Sequence, residues 1–221
     1  MVEAVIFDID GTLIDSVDLH AEAWVETFKQ FGRSVEFKSV RAKIGEGADR
    51  LIPELLGDET PKAVREEIAN FRAKLFTEKY LKNVKPFPCV RELFEKLRAQ
   101  GQLTVLGSSC RASEIEHYKA IANISDVVDA QATSDDADCS KPSPQIFNAA
   151  MTAAGKNKEQ VIVVGDTIFD IQAAAKAGVR AIGVLCGGAS HHELLKAGAI
   201  AVYDNPAHLL ERYDDSPLSR R

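Results

Sequence analysis

The sequence predicts a doubly wound α/β domain built on a parallel sheet and interrupted once by a helical insert. Short apolar runs recur along the chain, helical stretches separate them, and one long early segment contains no convincing strand. The runs Ala4-Val5-Ile6-Phe7, Leu103-Thr104-Val105-Leu106, Val161-Ile162-Val163-Val164 and Ala181-Ile182-Gly183-Val184-Leu185 are apolar on both faces. That pattern suits strands of a sheet covered on both sides. Val127-Val128 and Ala201-Val202 form a weaker pair of strand candidates. Helices are expected over residues 90–100, 113–122, 145–154 and 168–177, with Gly101, Gly155 and Gly178 where their C-caps should fall. Alternation of this kind opens a crevice at the carboxyl ends of the strands.

Residues 16–85 break the alternation and read as successive helices, over 19–31, 48–56 and 61–81. Leu55, Leu56, Phe71, Leu75 and Phe76 are expected to form this insert's own small core. Its return is marked by Lys85-Pro86-Phe87-Pro88, where two prolines stop a helix and force an extended connection. The expected organisation is therefore a core of residues 1–15 and 86–213, a helical domain of residues 16–85, and a flexible tail over 214–221.

Composition narrows the functional classes. The 221 residues are 45% hydrophobic and 27% charged, as in an ordinary globular protein with ample material for a core. A net charge of −6 without any Lys/Arg run argues against nucleic-acid binding. Cys89, Cys110, Cys139 and Cys186 form no C-x-x-C pair, which argues against zinc and for free thiols in a reducing compartment. The first residues lack the basic start of a signal peptide, and no apolar run is long enough for a bilayer. A cytoplasmic protein without a membrane partner is expected, either a monomer or a small homodimer.

The strongest chemical signal follows the first strand: Phe7-Asp8-Ile9-Asp10-Gly11-Thr12-Leu13. Two carboxylates one residue apart, just past a buried strand, are costly unless a cation or a reaction needs them. The glycine that follows permits a tight turn and close approach of backbone N–H groups to an anion. This D-x-D-G-T string resembles the first motif of the haloacid dehalogenase superfamily, whose core is a Rossmann-like sheet. The resemblance implies that Asp8 attacks phosphorus and that Asp10 serves as general acid, then base.

Three later strings resemble the family's remaining motifs, in order. Gly107-Ser108-Ser109 places Ser108 as the hydroxyl that donates to a phosphate oxygen; a shift of one residue would give that role to Ser109. Ser140-Lys141-Pro142-Ser143-Pro144 resembles the family's lysine motif, and Lys141 would offset charge on the nucleophile and the phosphoryl group. Gly165-Asp166-Thr167-Ile168-Phe169-Asp170 resembles G-D-x-x-x-D. Asp166 would ligate Mg2+ directly, while Asp170 would ligate it or orient a bound water. Asp8 and the backbone carbonyl of Asp10 would complete the protein's ligands, and an all-oxygen set favours Mg2+ over zinc.

An insert directly after the first motif resembles the family's mobile cap, which excludes water and selects substrate. Asp15-Ser16-Val17-Asp18-Leu19-His20 with Trp24 is similar to the β-phosphoglucomutase-like branch. His20 either faces substrate or packs beside Trp24. Lys43-Ile44-Gly45-Glu46-Gly47-Ala48-Asp49-Arg50 resembles a specificity loop, with Lys43 or Arg50 meeting a substrate anion. The substrate-facing set implied is Gly11, Thr12, Ser109, His20, Gly45, Gly47 and Arg50.

These resemblances imply a phosphatase acting on a small phosphorylated metabolite such as phosphoglycolate or a sugar phosphate. The alternative is a β-phosphoglucomutase-like mutase; Gly165-Asp166-Thr167 and Thr12 lean toward the phosphatase. Asp10 disfavours a dehalogenase, a phosphonatase would need a cap lysine for which Lys43 is the nearest candidate, and a non-catalytic phosphate binder has no motif in its favour.

Overall fold

The computed structural model describes residues 1–219. The chain begins with β1 (Ala4–Phe7), then β2 (Ile14–Asp15), and enters the helices α1 (Val17–Gln30), α2 (Phe37–Arg41), α3 (Ala48–Leu56) and α4 (Lys62–Leu75). It returns through β3 (Lys85–Pro86), whose extended backbone pairs antiparallel with β2. Strands and helices then alternate: α5 (Val90–Ala99), β4 (Leu103–Gly107), α6 (Ala112–Ile121), β5 (Ala130–Ala132), α7 (Gln145–Ala154) and β6 (Val161–Gly165). The remainder is α8 (Ile168–Ala177), β7 (Arg180–Val184), α9 (His191–Ala197), β8 (Ala201–Tyr203) and α10 (Pro206–Glu211). Two compact units result: Met1–Asp15 with the chain from Lys85 onward, and Ser16–Val84.

In the first unit a six-stranded parallel sheet runs β5-β4-β1-β6-β7-β8. β1 sits where the strand order reverses, pairing Ala4 with Leu103 on one side and Val161 on the other. A doubly wound sheet offers its crevice at such a switch point, beyond the carboxyl ends of the strands. All four β1 residues are buried, as a central strand covered on both faces requires. The core beneath includes Ile6, Val105, Phe147, Val163, Ile171 and Leu194. Gly107 lets α7 approach the sheet closely, because a Cβ there would come within 2.9 Å of Ile6 Cγ2 and 3.3 Å of Phe147.

The strand expected at Val127-Val128 forms three residues later, at Ala130–Ala132. Val127 is buried in the turn after α6, where its carbonyl accepts from the Thr104 hydroxyl, and Asp129 Oδ2 accepts from Thr104 N at 2.8 Å. Side-chain bonds therefore hold this approach, and the ladder starts only at Ala130 opposite Val105. Helices α9 and α10, which the sequence pattern does not predict, are seven and six residues long, too short to display a helical period.

The second unit is all helical among the described residues and closes its own core on Trp24, Phe28, Val40, Leu51 and Ile68. The expected helix over 61–81 is broken: α4 ends at Leu75, a π-helical turn covers Phe76–Tyr80, and a short 3-10 turn follows. Phe76 is buried as expected, whereas Phe71 is 36% exposed and meets Phe31 edge-on.

Residues 214–219 do not form the frayed tail expected of 214–221. Leu218 is fully buried, and its carbonyl accepts from Gln102 Nε2 at 2.8 Å. The Tyr213 hydroxyl donates to Gln102 Oε1 at 2.6 Å. Residues 220 and 221 lie outside the described residues. We expect Leu218→Ala to lower stability by about 2–4 kcal/mol, the usual cost of emptying a buried leucine site. Urea unfolding measures it, and a change within about 0.5 kcal/mol would mean that this segment does not stay docked in solution.

Candidate active site

Four side chains gather where β1, β4 and β6 end. Asp8 directly follows β1, its backbone N–H donating to Val164 O at 2.9 Å, which anchors it to β6. Asp166 directly follows β6, and Lys141 comes from the loop before α7. Asp170 lies in the first turn of α8, where the Thr167 capping box holds it: Asp170 Oδ2 accepts from Thr167 N at 3.0 Å and from the Thr167 hydroxyl at 2.6 Å. Gly165 is required by the same turn, since a Cβ there would overlap the Asp170 side chain.

All four groups are buried, between 1% and 6% exposed. Lys141 Nζ donates to Asp8 Oδ1, lies 2.7 Å from Asp170 Oδ1, and sits 5.2 Å over the Phe147 ring. Carboxylate oxygens of Asp8, Asp166 and Asp170 all fall within 4.8 Å of one another. Burial pushes Asp8 up to about 7, with Lys141 opposing and Asp170 reinforcing the rise. Asp166 is pushed well above the usual carboxylate range by burial, then by Asp170 and Asp8. Burial alone would lower Lys141, but the carboxylates of Asp170 and Asp8 outweigh it and hold its pKa above the ordinary lysine value.

Three buried acids face one base, so burial and mutual repulsion oppose their full ionisation, and a bound cation would relieve both. Asp170 Oδ1, close to Lys141, still has no aligned hydrogen-bond donor. An all-oxygen set with such an atom facing it fits a hard divalent cation.

Around this cluster stand the other residues singled out from the sequence. Gly11 has φ +82° and donates its N–H to Ile14 O at 2.8 Å, closing the tight turn after Asp10. The buried hydroxyl of Thr12 donates to Asp166 Oδ1 at 2.9 Å. Ser108 is buried at the end of β4, its Oγ accepting from Cys110 N at 3.2 Å, while Ser109 is half-buried. Asp10 is half-buried, and its Oδ2 accepts from the Cys110 thiol at 2.8 Å. Burial first, and Asp10 next, push that thiol well above its ordinary range, so it stays a donor.

Sequence reasoning missed Cys110 and a further turn after β7. There Cys186 donates to Gly11 O at 3.1 Å, and Gly187 lies so close to Asp166 that any Cβ would overlap the carboxylate. The glycine pair Gly187-Gly188, a few residues beyond a core strand, was the available signal.

His20, Gly45, Gly47 and Arg50 belong to the helical unit. His20 is 4% exposed, stacks on Phe76 with ring centroids 4.0 Å apart, and accepts from Arg72. The Arg72 guanidinium lies over the rings of Trp24 and Phe76. Gly45 takes φ +105° between α2 and α3, and Gly47 directly precedes α3. Arg50 lies 3.3 Å from Glu54 and 3.5 Å from Glu46, and Lys43 pairs with the same two acids.

Residues 5–184 match the family model described as haloacid dehalogenase-like hydrolase. The chain belongs to that family. Among its relatives, a phosphoglycolate phosphatase of Aquifex aeolicus is 30% identical over 184 residues, covering 83% of this chain and 84% of that protein. The pyrophosphatase PpaX of Halalkalibacterium halodurans is 29% identical, covering 81% of each chain. A solved structure, a hydrolase from Pseudomonas syringae, superposes with a TM-score of 0.90 at 27% identity, covering 96% of this chain and 98% of that one.

Gly187→Ala should displace Asp166 and weaken binding of a divalent cation by about tenfold or more. Calorimetric titration with Mg2+ and with Mn2+ measures this, and wild-type affinity in the variant would show that the turn after β7 does not constrain Asp166.

Proposed function

We propose that the protein is a Mg2+-dependent phosphatase of a small phosphorylated metabolite that works through an aspartyl-phosphate on Asp8. The observation that carries this reading is the buried Lys141 bonded to Asp8, with Asp166 and Asp170 within cation-binding distance of the same carboxylate. Asp8, Asp166, Asp170 and the backbone carbonyl of Asp10 are the groups that would hold the cation. When bound, it supplies positive charge that reduces repulsion between the Asp8 carboxylate and an anionic phosphate ester.

The first half-reaction forms a bond from an Asp8 oxygen to phosphorus and breaks the bond from phosphorus to the leaving oxygen. Asp10 gives its proton to that oxygen, so the alcohol departs neutral. Its half-exposed position separates it from the fully buried nucleophile and leaves room for a leaving group. In the second half-reaction Asp10 takes a proton from a water whose oxygen attacks the same phosphorus. Inorganic phosphate leaves, and the Asp8 carboxylate and the protonated Asp10 are restored.

Lys141 offsets charge on the transferring group throughout. The Ser108 hydroxyl, whose oxygen already accepts from Cys110 N, has its proton left to donate to a phosphate oxygen. Burial favours neutral Asp8, so bound positive charge is what returns it to the anion that attack requires. The names of the phosphoglycolate and pyrophosphate relatives support a small, phosphorylated substrate.

The test is phosphate release from a panel of monoesters, with Mg2+ and with EDTA, including phosphoglycolate, hexose and pentose phosphates, and β-glucose 1-phosphate with its bisphosphate. Mg2+-dependent release is expected. Conversion of β-glucose 1-phosphate to the 6-phosphate without release would replace the phosphatase reading with a mutase. Asp8→Asn should lower turnover by at least about a thousandfold with the fold intact; wild-type turnover would remove the covalent route. The Asp166→Ala/Asp170→Ala double variant should lose Mg2+ dependence together with activity, and turnover persisting in EDTA would sink the metal assignment.

A further inference from the structure

We propose that Cys110 is a positioning residue: its thiol hydrogen bond to Asp10 Oδ2 aims the acid at the leaving oxygen. This rests on the assignment of Asp10 as general acid above. The thiol lies 2.8 Å from Asp10 Oδ2, and Cys110 itself is 8% exposed. Its backbone is fixed at both ends: the N–H donates to Ser108 Oγ at 3.2 Å and the carbonyl accepts from Ser134 N at 3.0 Å. The sulfur is thus anchored to the loops after β4 and β5 independently of Asp10. Asp10 follows the end of β1 by three residues, on a turn where a bond from a neighbouring loop helps its carboxyl keep one direction.

A bond to Oδ2 favours the carboxyl rotamer that points Oδ1 elsewhere, so the oxygen that carries the proton is selected rather than free to exchange. The same residue serves Ser108, because the Cys110 N–H takes one lone pair of that hydroxyl and directs its proton outward. These two effects separate cleanly, since the backbone bond survives any side-chain change and the thiol bond does not. The group is small and buried, and its environment keeps it a donor, so it acts as a fixed strut and takes no part in electron transfer.

The experiment compares kcat/KM for wild type, Cys110→Ala, Cys110→Ser and Asp10→Asn on two substrates. One is 4-nitrophenyl phosphate, whose leaving group departs without help; the other is the alkyl monoester turned over fastest in the panel above. Cys110→Ala should lose roughly five- to tenfold on the alkyl ester, the range of one hydrogen bond, and less than about twofold on the nitrophenyl ester. The ratio of the two losses within one variant is independent of how much of the sample is folded. Cys110→Ser, which keeps a donor, should restore the alkyl-ester rate to within about twofold of wild type. Adding Cys110→Ala to Asp10→Asn should cost nothing further on the alkyl ester.

Equal losses on both substrates, a serine variant as impaired as alanine, or full additivity with Asp10→Asn would each overturn the proposal. A distinct result, wild-type alkyl-ester turnover in Asp10→Asn alone, would instead bring down the acid/base assignment itself.

Discussion

Everything in this molecule turns on holding three carboxylates and one ammonium group together out of water. Isolated, each such charge would cost several kcal/mol to bury, and mutual repulsion of the acids would add to that. Lys141 makes the arrangement tolerable by meeting two of the three, and the acid left over beyond that one base is what suits the site to a cation. The scaffold answers the same need: each acid is tied to a strand end or a helix cap by its own backbone or by a threonine hydroxyl. Such bonds keep the acids from relaxing apart. A more flexible frame would let them do so, and the site would vanish.

The carboxylates after β1 illustrate how sharply the surroundings of identical groups can differ. Asp8 sits in the interior against Lys141, while Asp10, two residues on, is half open and accepts from a neutral thiol. Two identical side chains thus stand in very different surroundings although only one residue separates them. The turn closed by Gly11 is what allows so sharp a change of surroundings over so short a stretch.

Much of this arrangement is legible in the amino-acid sequence. Strands whose two faces are both buried, such as β1 and β6, write continuous apolar runs, and acids directly beyond them stand out because nothing about a buried strand end calls for charge. Asp8 and Asp166 are readable for that reason, whereas Lys141 and Asp170, in the loop before α7 and the first turn of α8, are readable through their resemblance to a known series of motifs. What stays hidden depends on tertiary partners. Nothing in the string around Thr12 says that its hydroxyl will reach Asp166, or in Gly187 that its missing Cβ makes room for the same residue. The β5 boundary misleads because Val127 is apolar for burial in a turn, which mimics a strand in so short a window. The tail misleads because a polar composition says nothing of one leucine that docks.

The position of β1 in the sheet has a consequence for biosynthesis. This strand is made before either of its ladder partners, Leu103 opposite Ala4 on one side and Val161 on the other. The helical unit has its main core cluster within residues 17–69 and can close while the rest is still being made. Until β6 emerges, however, Val5, Ile6 and Phe7 have an unpaired edge, and loop-closure entropy works against holding them in place. The nascent chain therefore carries a hydrophobic strand with one open edge until residues 161–165 are made. Asp8 is therefore translated well before Lys141, Asp166 and Asp170, the residues that complete its surroundings.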